Sequence, residues 1–247
     1  MQRLVVGLLP WTFLLAPGGW AGEIIGGKEA LPHSRPYMAY LEIQHGDQTG
    51  ACGGFLVAEN FVMTAAHCQG DGITVVLGAH NISQREPSLQ EIQVQRQIPH
   101  PQYNRETLNN DIMLLQLSEN ATLTKEVRLV NFTTGHRSIG PGTTCSVAGW
   151  GLKSMRTTTD TLQEVSLSVL TDDLCKKRYY DYFPSTMLCV GDSKYKKSTY
   201  KGDSGGPLVC DGVAEGIVCK GKQNNIFPPV VFTRISHFVS WIKANMR

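Results

Sequence analysis

After residue 21 the chain has no uninterrupted apolar stretch long enough to cross a bilayer, so its body offers no candidate for a membrane-spanning helix. Metal-ligand spacing is equally scarce. His33, His45, His67, His80, His100, His136 and His237 form no ligand pattern, so a metal-dependent hydrolase lacks its ligands and neither metal nor cofactor is expected. Charge is nearly balanced at +2, which supplies no general attraction for nucleic acid. Two local runs are more basic, Lys176-Lys177-Arg178 and Lys194 to Lys197. They read as solvated loops, or alternatively as contacts for sulfated glycosaminoglycans. Low-complexity tracts and short repeats are absent, which excludes repeat architectures.

What is present begins with Arg3, an apolar stretch from Leu4 to Leu15, and small residues up to Ala21. That stretch is too short to span a membrane, and Pro10, Pro17, Gly18 and Gly19 spoil it as a buried helix, so residues 1–21 read as a secretory signal. Seven cysteines fit such an oxidising route. Their odd count leaves at least one unpaired in a monomer, and spacing alone leaves the connectivity open. The sequons at Asn81, Asn120 and Asn131 permit glycosylation on the same route.

Short runs rich in Val, Ile, Leu and aromatics recur between Gly, Pro and Asn clusters. They are residues 37–44, 53–58, 74–77, 91–98 and 112–117, then 144–148, 162–170, 187–190, 207–210, 214–219 and 230–234. Several alternate with period two, predicting half-buried strands and an all-β sandwich or barrel. The polar stretch 118–141 is a candidate crossover. Phe238, Trp241 and Ile242 recur at helical spacing, predicting an amphipathic helix from His237 to Met246 packed on the second half of the fold.

Three segments carry chemistry. Lys201-Gly202-Asp203-Ser204-Gly205-Gly206-Pro207 puts one serine on a turn with almost no side-chain bulk. Taken alone it could be an ordinary tight turn. Two other polar residues stand in apolar surroundings, however: His67 in Met63-Thr64-Ala65-Ala66-His67-Cys68, and Asp111 ahead of Ile112-Met113-Leu114-Leu115. An acid buried there needs a partner, and histidine is a natural one. Ser204, His67 and Asp111 together supply a nucleophile, a base and a group that orients the base.

These motifs, in the order His, Asp, Ser, resemble the chymotrypsin-like serine proteases. So do the start Ile24-Ile25-Gly26-Gly27 and the segment Val147-Ala148-Gly149-Trp150-Gly151. The segments Pro32 to Ala39 and Leu77 to Asn81 are similar to the granzyme, cathepsin G and mast-cell chymase branch. The resemblance implies two six-stranded β-barrels with the site in the cleft between them. A protease domain would span 24–247, its first barrel about 24–120, its second about 140–236 and its C-terminal helix about 237–246.

It also implies an activation dipeptide, Gly22-Glu23, whose removal frees the Ile24 amino group to pair with Asp203. The oxyanion site would be the N–H groups of Gly202 and Ser204. Disulfides Cys52 with Cys68, Cys145 with Cys210 and Cys175 with Cys189 leave Cys219 as the spare thiol. The specificity pocket would have Ser198 at its base and Gly221 and Val230 in its walls. Both Ser198 and Val230 are uncharged, which points to cleavage after Leu, Met or Phe, and Lys201 on the rim would favour a nearby acid.

One departure stands out. The strand lining the substrate backbone usually reads Ser-Trp-Gly or Ser-Tyr-Gly, and here it is Cys219-Lys220-Gly221. A thiol donates a weaker hydrogen bond to the aspartate than a hydroxyl does, and lysine would either cross the space of the missing aromatic or recruit acidic side chains. A catalytically silent homologue that acts as a binding or antimicrobial granule protein is the competing expectation. The resemblance further implies a monomer, serpin inhibitors, protein or peptide substrates, and storage in leukocyte granules.

Overall fold

The computed structural model describes residues 26–135, 139–151, 159–192, 198–199, 202–221 and 229–246. A two-residue strand β1 (Lys28–Glu29) precedes the first barrel. That barrel is built from β2 (Met38–His45), β3 (Gln48–Ala58), β4 (Phe61–Thr64), β5 (Gly72–Leu77), β6 (Gln90–Pro99) and β7 (Met113–Leu117). The strands close in the order β2-β3-β4-β7-β6-β5. From Leu41 onward β2 alternates, with Leu41 and Ile43 inward and Glu42 and Gln44 outward.

The chain then leaves along the first barrel. Backbone bonds run from Ala121 to the Glu59 carbonyl and from Val130 to the Leu56 carbonyl. A short strand β8 (Asn131–Phe132) lands parallel to β13 (Val213–Lys220). Residues 118–135 therefore make the crossover, within the 118–141 stretch expected to do so.

In the second barrel β13 is joined by β9 (Thr144–Gly149), β10 (Gln163–Val169), β11 (Met187–Gly191), β12 (Pro207–Cys210) and β14 (Val230–Arg234). The antiparallel pairings β9–β10, β10–β11, β11–β14, β14–β13, β13–β12 and β12–β9 return to their starting point, which closes a second six-stranded barrel. β10 alternates along its whole length: Val165, Leu167 and Val169 enter the core while Ser166 is exposed. Between β10 and β11 sits a helix α1 (Asp172–Arg178) with acids in its first turn and bases in its last, matching the helix dipole at both ends.

The barrels are tied by side chains far apart in sequence. Arg35, just before β2, reaches Glu164 on β10 at 3.0 Å and Ser146 on β9 at 3.0 Å. The C-terminal segment begins as a 3-10 turn, Ile235–Phe238, before helix α2 (Val239–Asn245). It packs on the second barrel as expected, through β13, and on the first barrel as well. Phe238 and Ile242 join the hydrophobic cluster of the first barrel, together with Ala214 and Ile217 of β13. The reason is an aromatic corner: His100, at the end of β6, meets both Phe238 and Trp241 edge-on at 5.1 Å.

Candidate active site

His67 and Asp111 meet because two neighbouring antiparallel strands end together. β4 pairs with β7, and Thr64 stands opposite Met113. His67 lies three residues beyond Thr64 in a 3-10 turn (Ala66–Cys68), and Asp111 lies two residues before Met113, so both emerge at one end of the barrel. The disulfide Cys52–Cys68 pins that turn to β3. The His67 ring nitrogen and the sulfurs of Cys52 and Cys68 lie within 4.8 Å of one another. Those sulfurs are bonded to each other, so this trio is packing and not a ligand set.

Asp111 is fully buried. Its Oδ1 accepts the His67 backbone N–H at 2.9 Å and its Oδ2 accepts the ring Nδ1–H at 2.7 Å. An ionised carboxylate is only an acceptor, so Nδ1 must carry the proton, and in the neutral ring Nε2 then keeps its lone pair. Burial works to lower the His67 pKa, and the charge and hydrogen bond of Asp111 work to raise it; the Asp111 effects prevail and the pKa lies above the ordinary imidazole value. Thr233 on β14 donates to the Asp111 carbonyl at 2.8 Å, fixing the backbone from the second barrel.

The Ser204 turn docks onto the same end of the first barrel. The Ser204 carbonyl accepts the Gly53 N–H of β3 at 2.7 Å. Gly205, at φ +81°, leaves no room for a Cβ, which would stand 2.1 Å from Thr64 Oγ1 and 2.4 Å from the Gly53 carbonyl. The serine is thereby carried to the end of β4 from which His67 emerges. Gly202 is also required. Its φ is +98° and a Cβ would meet the Gly151 Cα at 2.7 Å, so the glycine serves the close approach to the turn that follows β9.

Asp203 is fully buried. Its Oδ1 accepts the Gly151 N–H at 3.0 Å. The carboxylate lies so close to the Gly149-Trp150-Gly151 segment that a Cβ on either glycine would stand within 2.5 Å of that oxygen. The glycines in this motif thus make the carboxylate's seat.

Of the pocket residues, Ser198 and Val230 are buried, and Gly221 is exposed with Val230 Cγ1 3.6 Å from where its Cβ would be. Lys201, Glu23 and Ile24 lie outside the described residues, as do the signal region and Lys194 to Lys197. The three disulfides pair as the resemblance implied, and Cys219 is the free cysteine. Asn120 and Asn131 are exposed, whereas Asn81 is half-buried and its Oδ1 accepts from Ser83.

Cys219 sits at a bulge. Val218 pairs with Phe232 and Lys220 with Val231, leaving Cys219 as the extra residue on β13. The bulge re-aims its thiol towards Asp111 and towards the Leu108 carbonyl, 3.7 Å away. Burial first, and then the Asp111 charge, push its pKa well above the usual thiol value. A neutral, enclosed thiol is a poor nucleophile. A disulfide-forming dye is therefore expected to leave Cys219 unmodified in the native protein and to titrate one thiol after denaturation. Fast labelling of the native protein would show the thiol to be open to solvent.

Lys220 was expected either to cross the vacated aromatic space or to recruit acidic side chains, and its ammonium has acidic company. It pairs with Asp181 Oδ2 at 2.7 Å and donates to the Thr107 carbonyl at 2.8 Å. Asp181, Thr107, Leu108 and Thr233 are the site neighbours that sequence reasoning missed. The one available hint was Lys220 itself, a charge in a position that demands a partner.

The trypsin family model, described as "Trypsin", matches residues 24–242. Cathepsin G of Homo sapiens is 54% identical over 97% of this chain and 94% of its own length. Mast cell protease 3 of Ovis aries is 54% identical over 95% of this chain and 93% of its own. Granzyme B of Homo sapiens is 52% identical over 97% of this chain and 98% of its own. A solved structure described as "Structure of GrC" superposes with a TM-score of 0.87 at 49% identity, covering 90% of this chain and 99% of that one. A twin-barrel fold and a whole-length match of this kind make the chain a member of the trypsin family of serine endopeptidases, in the branch of cathepsin G, the granzymes and chymase.

Proposed function

We propose that Ser204, His67 and Asp111 hydrolyse peptide bonds through an acyl-enzyme, and that the enzyme cuts after Leu, Met or Phe. The observation that carries the chemistry is the double seating of His67 on a fully buried Asp111, through its backbone N–H at 2.9 Å and its ring N–H at 2.7 Å. With the proton fixed on Nδ1, Nε2 takes the Ser204 hydroxyl proton as Oγ attacks the carbonyl carbon. The N–H groups of Gly202 and Ser204 hold the oxyanion; each such donor contributes about 3–4 kcal/mol. Collapse breaks the C–N bond while Nε2 returns the proton to the leaving amine. Water then repeats the sequence and releases the acid.

The apolar preference rests on Ser198 and Val230, which bring no charge to the base and wall of the pocket. Lys201 at the rim adds a secondary taste for acids. Ile24 as the new N-terminus, secretion, storage in leukocyte granules, glycosylation at Asn81, Asn120 and Asn131, control by serpins and retention on sulfated glycosaminoglycans complete the proposal.

A fluorophosphonate probe added to the chain beginning at Ile24 is expected to label Ser204. A peptide library is expected to show kcat/KM for Leu, Met or Phe at the cleaved position at least about tenfold above that for Arg or Asp. Preferred cleavage after Arg or Asp overturns the pocket assignment. Absence of labelling, with binding to glycans or microbes retained, makes the protein a silent homologue.

A further inference from the structure

Lys220 ends β13 within the segment proposed to line the substrate backbone, yet its side chain is only 11% exposed. An ammonium carries three N–H donors. Three protein acceptors lie around this one: Asp181 Oδ2 at 2.7 Å, the Thr107 carbonyl at 2.8 Å and, more weakly, the Asp181 carbonyl at 3.4 Å. The Tyr179 ring adds a face 5.9 Å from the nitrogen.

The two anchors come from opposite sides of the cleft. Thr107 belongs to the first-barrel loop that runs into Asp111, and Asp181 follows α1 in the second barrel. The lysine stem therefore crosses from β13 to both walls. Its charge is met by a carboxylate that is itself only 12% exposed.

We infer that Asp181 is a specificity determinant: by neutralising Lys220 it keeps this lysine from imposing a charge preference on the cleft just upstream of the scissile residue. The inference rests on the proposed function, in that Cys219-Lys220-Gly221 must line the substrate. A lysine left free at this place would attract glutamate or aspartate in the peptide, and the attraction would fade with salt. With its donors occupied, the side chain offers a substrate mainly its methylene stem. The fitting substrate class is a peptide in which neutral and acidic side chains serve equally at the two positions upstream of the cleaved residue.

The test holds the cleaved residue at Phe and places Gln or Glu at each of those two positions. Turnover is measured with the chain beginning at Ile24, and affinity with its Ser204→Ala variant by fluorescence anisotropy. The unmodified pocket is expected to treat Gln and Glu alike within about threefold. Asp181→Asn is expected to favour Glu by about tenfold or more at low salt, and the double change Asp181→Asn with Lys220→Met is expected to abolish that preference.

A tenfold Glu preference before any change at Asp181, or an Asp181→Asn variant that remains indifferent, overturns the inference. If Asp181→Asn does not fold, Lys220→Met decides. Indifference to charge should persist unaltered in it, and a Glu preference that it removes overturns the inference. Missing probe labelling of Ser204 with the charge pattern intact in binding sinks the proposed chemistry alone. Intact labelling with a flat response to Asp181→Asn sinks this inference alone.

Discussion

Asp111→Asn is expected to lower kcat by about ten-thousandfold, the scale of this change in a Ser-His-Asp enzyme, while leaving the fold in place. The loss follows from the tautomer. In the native site Oδ2 accepts the Nδ1 proton at 2.7 Å, which leaves Nε2 free to act as a base. An asparagine oxygen could accept from the His67 backbone as Oδ1 does, and its NH2 would then face Nδ1. The ring would answer by moving its proton to Nε2, the wrong side for abstracting the Ser204 hydroxyl proton.

A pH profile separates this account from simple unfolding. Since Asp111 holds the His67 pKa above the ordinary imidazole value, kcat/KM of the native enzyme is expected to rise with pH through a midpoint above that value. In Asp111→Asn only the lowering influence of burial survives, so the residual activity should rise through a midpoint displaced to lower pH. The sign extends to stability. A histidine pKa raised by folding gives stabilisation that is complete below the unfolded-state pKa and lost as pH rises through the folded one. A residual profile that keeps the native midpoint would show that Asp111 does not govern His67.

The legible parts of this molecule are those in which one residue's neighbours in sequence are also its neighbours in physics. Strands such as β10 announce themselves because alternate side chains face core and solvent. β4 does not, since all four of its residues are buried and Phe61 to Thr64 carry no alternation. α1 was missed for a related reason: Cys175 is its one buried residue, so it has no apolar stripe, and its signature is the order of charges from Asp172 to Arg178. The two ends of the site were visible as out-of-place polar residues, His67 and Asp111. The partner of Lys220 was not, because Asp181 stands 39 residues earlier and the pair is made by the closure of the barrel. The first-barrel packing of α2 was hidden in the same way, behind an aromatic contact with His100.

A chain that retains Gly22-Glu23 is expected to be less active than one beginning at Ile24 by a factor on the order of a hundred to several thousand. That is the rate equivalent of the roughly 3–5 kcal/mol at stake when one member of a buried ion pair is removed. The proposed pair is the Ile24 ammonium with Asp203. The Asp203 carboxylate has no exposed surface, and its seat is so tight that neither Gly149 nor Gly151 has space for a methyl group. Gly202 and Ser204 flank Asp203 in the chain, so where the carboxylate is held decides where the two oxyanion N–H groups point. Asp203→Asn in the processed chain is expected to reproduce the loss, and so is acetylation of the Ile24 amine. The decisive comparison is the double change. If ammonium and carboxylate act as a unit, Asp203→Asn in the chain that keeps Gly22-Glu23 costs almost nothing further, because the interaction it removes never formed. Losses that multiply instead, or a Gly22-Glu23 form with more than about a tenth of full activity, would separate Asp203 from the N-terminus. The glycine seat would then be a packing feature of the second barrel and not the anchor of an activation switch.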